Sequence, residues 1–392
     1  MQLSVIILNY NVRYFLELCV LSVQKALETI DAEIIVIDNN SSDESCEMMK
    51  QRFSNIKLIE NNENSGFPKG NNIGVSQAKG EYVCILNPDT VVAEDTFTKI
   101  LAFAERQKNL GIVGCKLIDG TGNFLPESKR GVPTPFVAFT KIFGLYKFSN
   151  YFGKYYAQHL QENETGKVDI LVGAFMIMKR ELYLEVGGFD EKCFMYSDDI
   201  DLSYMVLQKG KSNYYFHETT VIHYKGESTI KDGTYMKRFQ EAMNFFYKKH
   251  FNPEASGSVF FSLFMKIGIL IFSFIKMFQG KQNARVAPES YVLISDNELV
   301  KVKLQTEFKK DVFLAKKGVL NMNYSQNLSK KMAFEFVFDN NYINFKEIIQ
   351  TMQSKKNKNH TFKILPQTTD FLIGSNSSND RGEVILISDF KN

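Results

Sequence analysis

A short apolar run at residues 83–86 stops abruptly at Asn87, Pro88 and Asp89, and this junction constrains the fold more than any other stretch. Four apolar residues in a row suit a strand that is buried on both faces, as in a parallel sheet. Pro88 has no backbone N–H, so the strand ends there. The Asp89 carboxylate should therefore lie at the carboxyl end of a strand, where open α/β sheets bind ligands. A solvated aspartate that closes a turn would give the same local pattern.

Two further apolar runs end in polar residues. Residues 3–8 are followed by Asn9 and Asn11, and residues 33–37 are followed by Asp38. Helical patterns separate the runs, and this alternation predicts a parallel sheet with right-handed crossovers. The polar ends should share one rim of the sheet, which favours a nucleotide site over unrelated capped turns. The chain lacks both a GxGxxG motif and a P-loop motif, so a standard dinucleotide or P-loop site is excluded.

The composition excludes several other classes of protein. The chain has 392 residues, enough for two or three domains, and its net charge of +3 gives no reason to expect nucleic acid as a partner. The five cysteines lack the spacing of a disulfide frame or zinc site and indicate thiols in a reducing compartment. Met1 is followed at once by a strand-like segment, so we expect no signal peptide.

Four polar segments occur in a fixed order: SVIILNYN at 4–11, VIDNNSSD at 36–43, NSGF with GNNIG at 64–74, and LNPDT at 86–90. In this order they resemble glycosyltransferase family 2, and most closely its rhamnosyltransferase-like branch, which builds surface polysaccharides. The likeness runs from about residue 2 to residue 251. It implies the GT-A fold, which is a Rossmann-like mixed sheet in an α/β protein, with helices on both faces.

The resemblance implies how a nucleoside-diphosphate sugar would be held. Asn9 and Asn11 would lie near the base, and Asp38 would accept hydrogen bonds from the base or the ribose. Asn71 and Asn72 would lie near the ribose and the diphosphate. The donor would be of the dTDP or UDP type, with rhamnose as the first candidate for the sugar.

The metal motif of the family is altered in this sequence. Asp89 matches the last residue of the Asp-x-Asp motif, whereas Asn87 stands at the first position and brings no charge. The resemblance implies Mg²⁺ or Mn²⁺, and a hard cation commonly needs only one or two carboxylates beside phosphates and waters. His223 would join the metal or the diphosphate, but a lone histidine is more often structural.

The resemblance also implies an acceptor side. Asp198 and Asp199 match the Glu-Asp motif of the family, with Asp at the first place, and Asp199 would be the general base. Acidic residues in a first helical turn also stabilise a helix, so a structural interpretation stays open. Arg130 would contact the acceptor or the diphosphate, with a solvated loop charge as the alternative. Gly173 and Ala174 are small enough for a ligand to approach closely.

We predict three parts along the chain. Residues 1–251 would form the GT-A domain, with a nucleotide-binding half at about 1–118 and an acceptor half at about 119–251. Residues 252–288 would form an amphipathic membrane-associated helix and a linker. Residues 289–392 would form a small α/β Rossmann-like domain of unknown role, suited to assembly or docking. Its first strand is not followed by a Gly-rich turn, so we expect no cofactor there.

The apolar stretch 259–278 has the length of a membrane span but contains Lys266 and Lys276. Both lysines fall with serines on one side of the predicted helix. This arrangement favours a helix that lies in the membrane surface. A true span and a helix packed on the protein remain as alternatives.

Together these features predict an inverting, metal-dependent glycosyltransferase for surface polysaccharide synthesis. Its acceptor would be a saccharide or a polyprenyl-linked saccharide, and the protein would be cytoplasmic and peripheral on the inner face of the cell membrane. A homo-oligomer is compatible with the sequence. A nucleotidyltransferase that makes an activated sugar would need a Gly-rich loop where residues 9–13 contain no glycine. A non-catalytic GT-A scaffold would not need Asp89, Asp199 or His223, although Asn87 weakly favours it.

Overall fold

The computed structural model describes residues 1–149, 151–193, 196–225, 233–251, 287–317, 333–376 and 382–387. The amphipathic helix predicted at 259–278 lies outside these ranges. None of the helices within them combines the length and the apolar character that crossing a bilayer requires.

The first sheet comprises β1 (Leu3–Asn9), β2 (Ala32–Asp38), β3 (Lys57–Glu60), β4 (Tyr82–Leu86), β5 (Thr90–Val91), β6 (Leu110–Ile118), β7 (Gly166–Val168), β8 (Phe175–Lys179) and β9 (Ser212–His223). Its order is β3-β2-β1-β4-β8-β6-β9-β5, and β7 pairs with β9. The strand β1 runs parallel to β2 and β4, whereas β8 runs antiparallel to β4 and β6. The sheet is therefore mixed: β1 to β4 form one parallel group, and β6 and β9 form a second parallel pair.

The helices around this sheet are α1 (Arg13–Ala26), α2 (Ser45–Arg52), α3 (Gly66–Ser76), α4 (Thr96–Glu105), α5 (Pro135–Ile142), α6 (Arg180–Glu185), α7 (Asp198–Gln208) and α8 (Gly233–His250). Alternate side chains of β1 point to opposite faces of the sheet. Val5 packs in a core with α1, α2 and α4, whereas Ile6 packs in a core with α3, α6 and α7. The predicted mixed sheet with helices on both faces is confirmed.

The second sheet comprises β10 (Ser290–Ile294), β11 (Val312–Ala315), β12 (Phe334–Asp339), β13 (His360–Leu365), β14 (Phe371–Gly374) and β15 (Glu383–Leu386). Its order is β11-β10-β12-β13-β14-β15, and the first four strands are parallel. The helices α9 (Glu298–Phe308) and α10 (Phe345–Lys355) belong to this unit. A small α/β unit therefore follows the first one, as the sequence predicted.

The helix α10 lies between the two sheets. Its Ile348 and Met352 belong to one buried cluster that also contains Phe15 of α1 and strand residues of both sheets. The Glu94 carboxylate accepts hydrogen bonds from the backbone N–H groups of Phe345 (2.7 Å) and Lys346 (2.8 Å). A carboxylate at a helix N-terminus is stabilised by the helix dipole. The second unit is thus joined to the first by a shared core and a capped helix.

Candidate functional site

The carboxyl ends of β2, β1 and β4 lie side by side. In the parallel register Asn9 is opposite Asp38, and Ile7 is opposite Leu86. The turn that carries Asp89 therefore leaves the sheet next to Asn9. The structure brings these three polar positions to one edge, because three neighbouring parallel strands each end at or next to a polar residue.

The Asp38 end of this edge is closely hydrogen-bonded. The Asn9 amide Nδ2 donates to Asp38 Oδ2 (2.7 Å) and to Ser41 Oγ (3.1 Å). The backbone N–H of Ser41 donates to Asp38 Oδ1 (2.7 Å), and the backbone N–H of Asn11 donates to Ser41 Oγ (2.9 Å). Ser41 thus joins all three predicted residues, although the sequence did not single it out. Asn11 has a φ of 56°, in the left-handed region that asparagine tolerates.

The two asparagines of α3 are used differently. Asn71 Nδ2 donates to the Phe67 carbonyl (2.9 Å), and its buried Oδ1 has no hydrogen-bond partner among the described residues. Asn72 Oδ1 accepts from the Tyr183 hydroxyl (2.6 Å) and the Phe189 N–H (3.1 Å), and its Nδ2 donates to the Phe189 carbonyl (2.9 Å). Asn72 therefore holds α3 to the loop before α7. Its predicted position near the ribose and the diphosphate of a substrate stays a prediction.

The predicted metal residues lie together at the end of β4. His223 Nε2 is 3.4 Å from Asp89 Oδ1 and 3.4 Å from Asn87 Nδ2. This proximity follows from the pairing of β5 with β9, which places Thr90 opposite His223. The side chains of Asp89 and His223 are 7% and 9% exposed, so both are largely buried.

These residues fit a hard divalent cation. The Asn87 Oδ1 and His223 Nδ1 atoms are buried and have no hydrogen-bond partner in the described part of the chain. A carboxylate and an amide oxygen are donors that Mg²⁺ or Mn²⁺ accepts, and an imidazole nitrogen suits a transition metal such as Mn²⁺ better than Mg²⁺. The described ranges contain no group of three His, Cys, Asp or Glu side chains that could hold a metal alone. Diphosphate oxygens and waters would have to complete the coordination shell.

The acceptor-side residues form a second cluster at the start of α7. Asp199 Oδ2 accepts hydrogen bonds from Arg130 Nη2 (2.6 Å) and from the Gly173 N–H (3.0 Å). The same Arg130 nitrogen also donates to the Leu171 carbonyl (2.9 Å). Arg130 is therefore not a solvated loop charge. The side chains of Arg130 and Asp199 are 9% and 12% exposed, which makes this a largely buried ion pair.

A short backbone segment links the two clusters. The Asn87 N–H donates to the Ala174 carbonyl (3.0 Å), and the adjacent Gly173 donates to Asp199. A Cβ atom on Gly173 would lie 3.4 Å from Asp199 Cβ and 3.5 Å from the Phe67 ring. Gly173 and Ala174 thus place the predicted metal residues and the predicted acceptor residues two peptide units apart.

Burial and charge shift the pKa of several groups in the acceptor cluster. Burial and the neighbouring Asp199 carboxylate raise the pKa of Asp198 to about 7. Burial lowers the pKa of Arg130, but the Asp199 and Tyr155 charges outweigh this and raise it above its usual range. Burial raises the pKa of Tyr155, but Lys141 and Arg130 outweigh it and lower this pKa. Tyr155 was not predicted, because no local pattern in the sequence places it beside Arg130.

The family model for Glycosyl transferase family 2 matches residues 4–187. Over these residues the chain is similar to glycosyltransferase family 2. The match covers the strand ends with Asn9, Asp38 and Asp89, together with Arg130 and Gly173. It ends before α7, so Asp199 is linked to the family segment by its contacts with Arg130 and Gly173 rather than by the match itself.

Individual members of glycosyltransferase family 2 are distant relatives. The chain is 26% identical over 241 residues to an N-acetylglucosaminyl-diphospho-decaprenol L-rhamnosyltransferase of Mycobacterium tuberculosis, covering 59% of this chain and 78% of the relative. It is 31% identical over 198 residues to a GalNAc(5)-diNAcBac-PP-undecaprenol beta-1,3-glucosyltransferase of Campylobacter jejuni, covering 49% of this chain and 63% of the relative. A solved mannosyltransferase from Pyrobaculum calidifontis, in complex with GDP-Man and Mn²⁺, has a TM-score of 0.48 and 16% identity, covering 72% of this chain and 76% of that chain.

Proposed function

We propose that the protein is an inverting glycosyltransferase that moves a sugar from a nucleoside-diphosphate donor to a hydroxyl group of a saccharide acceptor. The observation that carries this proposal is the position of the Asp199 carboxylate. Arg130 and Gly173 hold it two peptide units from the turn that contains Asn87 and Asp89. A proton acceptor and a diphosphate-binding edge are therefore adjacent, as direct displacement requires.

The donor would lie along the edge of the first sheet. Asn9, Asn11 and Asp38 would face the base and the ribose. Asp89, with Asn87 and His223, would hold Mg²⁺ or Mn²⁺. When bound, the cation supplies positive charge that neutralises the departing nucleoside diphosphate. The buried, unpaired oxygen of Asn87 supports this arrangement, because a cation would satisfy it.

The acceptor hydroxyl would be activated by Asp199. Both contacts to this carboxylate fall on Oδ2, which leaves Oδ1 to accept the hydroxyl proton. The acceptor oxygen then bonds to the anomeric carbon as the bond from that carbon to the diphosphate oxygen breaks. Attack from the face opposite the leaving group gives inversion. General-base catalysis of this kind typically contributes a factor of about 10² to 10⁴ in rate.

The substrate class follows from the relatives named above. They transfer rhamnose or glucose to saccharides on decaprenyl or undecaprenyl diphosphate. We propose a dTDP- or UDP-linked donor, with rhamnose first, and a polyprenyl-linked saccharide as acceptor. Such an acceptor is confined to a membrane, so the protein would act as a peripheral enzyme on the inner face of the cell membrane.

The test is sugar transfer from dTDP-rhamnose and UDP-glucose to an N-acetylglucosaminyl-diphosphate lipid, with Mn²⁺ or with EDTA. We expect transfer by the wild-type protein with Mn²⁺, and a loss of about 10² to 10⁴ in rate for Asp199→Asn. The shift in melting temperature on adding the donor should be the same in both proteins, because Asp199 does not face the nucleotide.

The matched control is Asp198→Asn, which removes the neighbouring carboxylate of the same helical turn. It should keep a larger share of the activity than Asp199→Asn. The reverse order would assign the base to Asp198, whose pKa of about 7 would suit it. Donor binding without transfer to any acceptor would indicate a non-catalytic scaffold.

A further inference from the structure

Exposed aromatic side chains are concentrated on one small part of the surface. Four of the large hydrophobic side chains that are exposed within the described ranges lie in the segment 136–151 and form what we call the aromatic patch: Phe136, Phe143, Phe148 and Tyr151. Phe148 is 82% exposed and Tyr151 is 66% exposed. The rings of Phe136 and Tyr151 lie 6.4 Å apart, so helix α5 and the chain that follows it present neighbouring apolar groups. Contiguous exposed apolar surface usually marks a site of interaction.

The charge around the aromatic patch has a single sign. Residues 131–160 contain nine aromatic residues and three lysines but no aspartate or glutamate. Lys154 Nζ lies 5.9 Å from the centre of the Tyr151 ring, and Lys147 Nζ lies 5.9 Å from the centre of the Tyr146 ring. Lysine and tyrosine side chains both combine an apolar body with a polar tip, which suits the boundary between water and lipid.

The segment that carries the patch is anchored beside the acceptor cluster. The Gly131 N–H donates to the Tyr155 carbonyl (3.2 Å), next in sequence to Lys154. Lys129 Nζ donates to the carbonyls of Tyr156 (3.2 Å) and Leu160 (2.6 Å). Residues 129 and 131 flank Arg130, which is paired with Asp199. A partner that bound to the aromatic patch would therefore lie near the proposed acceptor site.

We propose that the aromatic patch, with Lys147 and Lys154, is the surface through which this protein docks on an anionic phospholipid bilayer. The aromatic rings enter the boundary between headgroups and acyl chains, and the lysines contact lipid phosphates. This inference rests on the proposed function in one respect: docking here would bring a lipid-linked acceptor to Asp199. The segment 259–278 is a separate candidate for membrane contact, and the patch does not depend on it.

The experiment is flotation of the full-length protein with vesicles of phosphatidylcholine alone and of phosphatidylcholine with phosphatidylglycerol. We expect wild-type protein to bind more strongly to the vesicles that contain phosphatidylglycerol. The double variants Phe148→Ser/Tyr151→Ser and Lys147→Glu/Lys154→Glu should each lower the vesicle partition coefficient by about tenfold or more. Their melting temperatures should stay close to that of the wild-type protein, since these side chains are exposed.

Matched controls exist elsewhere on the chain. Leu299→Ser/Val302→Ser removes two exposed apolar side chains from α9, and Lys108→Glu/Lys358→Glu makes the same change in net charge at two exposed lysines. Both should bind vesicles like the wild-type protein. Equal losses in the controls, or wild-type binding by both patch variants, would overturn the proposal. A fall in melting temperature with unchanged vesicle binding would also overturn it, because the patch would then be covered by protein.

The proposed function and the proposed docking surface can be disproved independently. Asp199→Asn should bind vesicles like the wild-type protein while losing sugar transfer. If no donor supports transfer but vesicle binding still depends on the patch, the proposed function is wrong and the docking surface stands. The patch variants should also retain transfer to a water-soluble acceptor with a short lipid, because the patch takes no part in the chemistry.

Discussion

The two sheets end their parallel strands in similar polar residues but use them differently. At the end of β12, the Asp339 carboxylate accepts hydrogen bonds from Ser295 Oγ (2.7 Å) and from both the N–H and the Nδ2 of Asn341 (3.0 Å each). At the end of β4 in the first sheet, the buried Asn87 Oδ1 and His223 Nδ1 have no hydrogen-bond partner among the described residues. At the end of β12 these polar groups satisfy one another, whereas at the end of β4 the two buried atoms stay available to a ligand.

This difference shows how to separate a site from a capped turn. A buried polar atom without a partner carries a cost in free energy, which the native structure tolerates where a ligand or ion satisfies the atom. An aspartate at a strand end therefore indicates a site only when its neighbours remain unsatisfied.

The largest effect should come from exchanging the two strand-end aspartates for asparagine. Asp89→Asn should lower sugar transfer by about 10² to 10³ because it removes the negative charge of the proposed metal site. Asp339→Asn should leave transfer nearly unchanged but lower the free energy of unfolding by about 1–3 kcal/mol, since Ser295 loses its acceptor. Transfer assays and urea denaturation of both variants measure these effects. Similar activity in the two variants would remove the contrast between the edges.

The buried ion pair of the first unit should have the next largest effect. Arg130→Met leaves the Asp199 carboxylate buried without its partner, and the free energy of unfolding should fall by about 3 kcal/mol. The double variant Arg130→Met/Asp199→Leu should recover most of this loss while remaining inactive, because both charges are gone. The matched control is Lys50→Met, whose pair with Glu60 is exposed on both sides and should matter little. A small loss for Arg130→Met would show that water reaches the pair.

The smallest effect concerns the dependence of stability on pH. Because burial and Asp199 raise the pKa of Asp198 from 3.8 to about 7, the unfolded chain releases this proton at lower pH than the folded protein. The folded state therefore loses stability from this group as the pH rises from about 4 to about 7. Asp198→Asn should remove that loss. The melting temperature of the variant minus that of the wild type should therefore rise by a few degrees as the pH goes from about 4 to about 7. A difference that stays constant with pH would contradict the raised pKa.

Much of the first unit could be predicted from the sequence because its signals are local. Mainly apolar runs that end at Asn9, Asp38 and Asn87 specify buried strands, since a strand that is covered on both faces is rich in apolar residues. The order of these strands follows from right-handed crossovers, which leave few topologies. The rim of polar side chains follows from the same pattern. The roles assigned to those side chains stay predictions.

Other features required contacts between distant residues. Whether Arg130 is a surface charge or the partner of Asp199 depends on a pairing across 69 positions, which no local pattern encodes. The amide of Asn72 looked like a ligand-binding group, but it is used by Phe189, a residue 117 positions away. The position of Tyr155 beside Arg130 also depends on a contact between residues that are distant in the sequence. Side-chain hydrogen bonds are short and directional, so their partners depend on the final packing.

By itself, the sequence determined the succession of strands and helices, the α/β class of both units and the polar composition of the strand ends, because burial and turn chemistry act over a few neighbouring residues. The tertiary structure was needed to show which polar groups remain unsatisfied, which charges are paired, and that α10 packs between the two sheets. These properties depend on distances between residues that are far apart in the chain, and free energies of burial and pairing change steeply over a few ångströms.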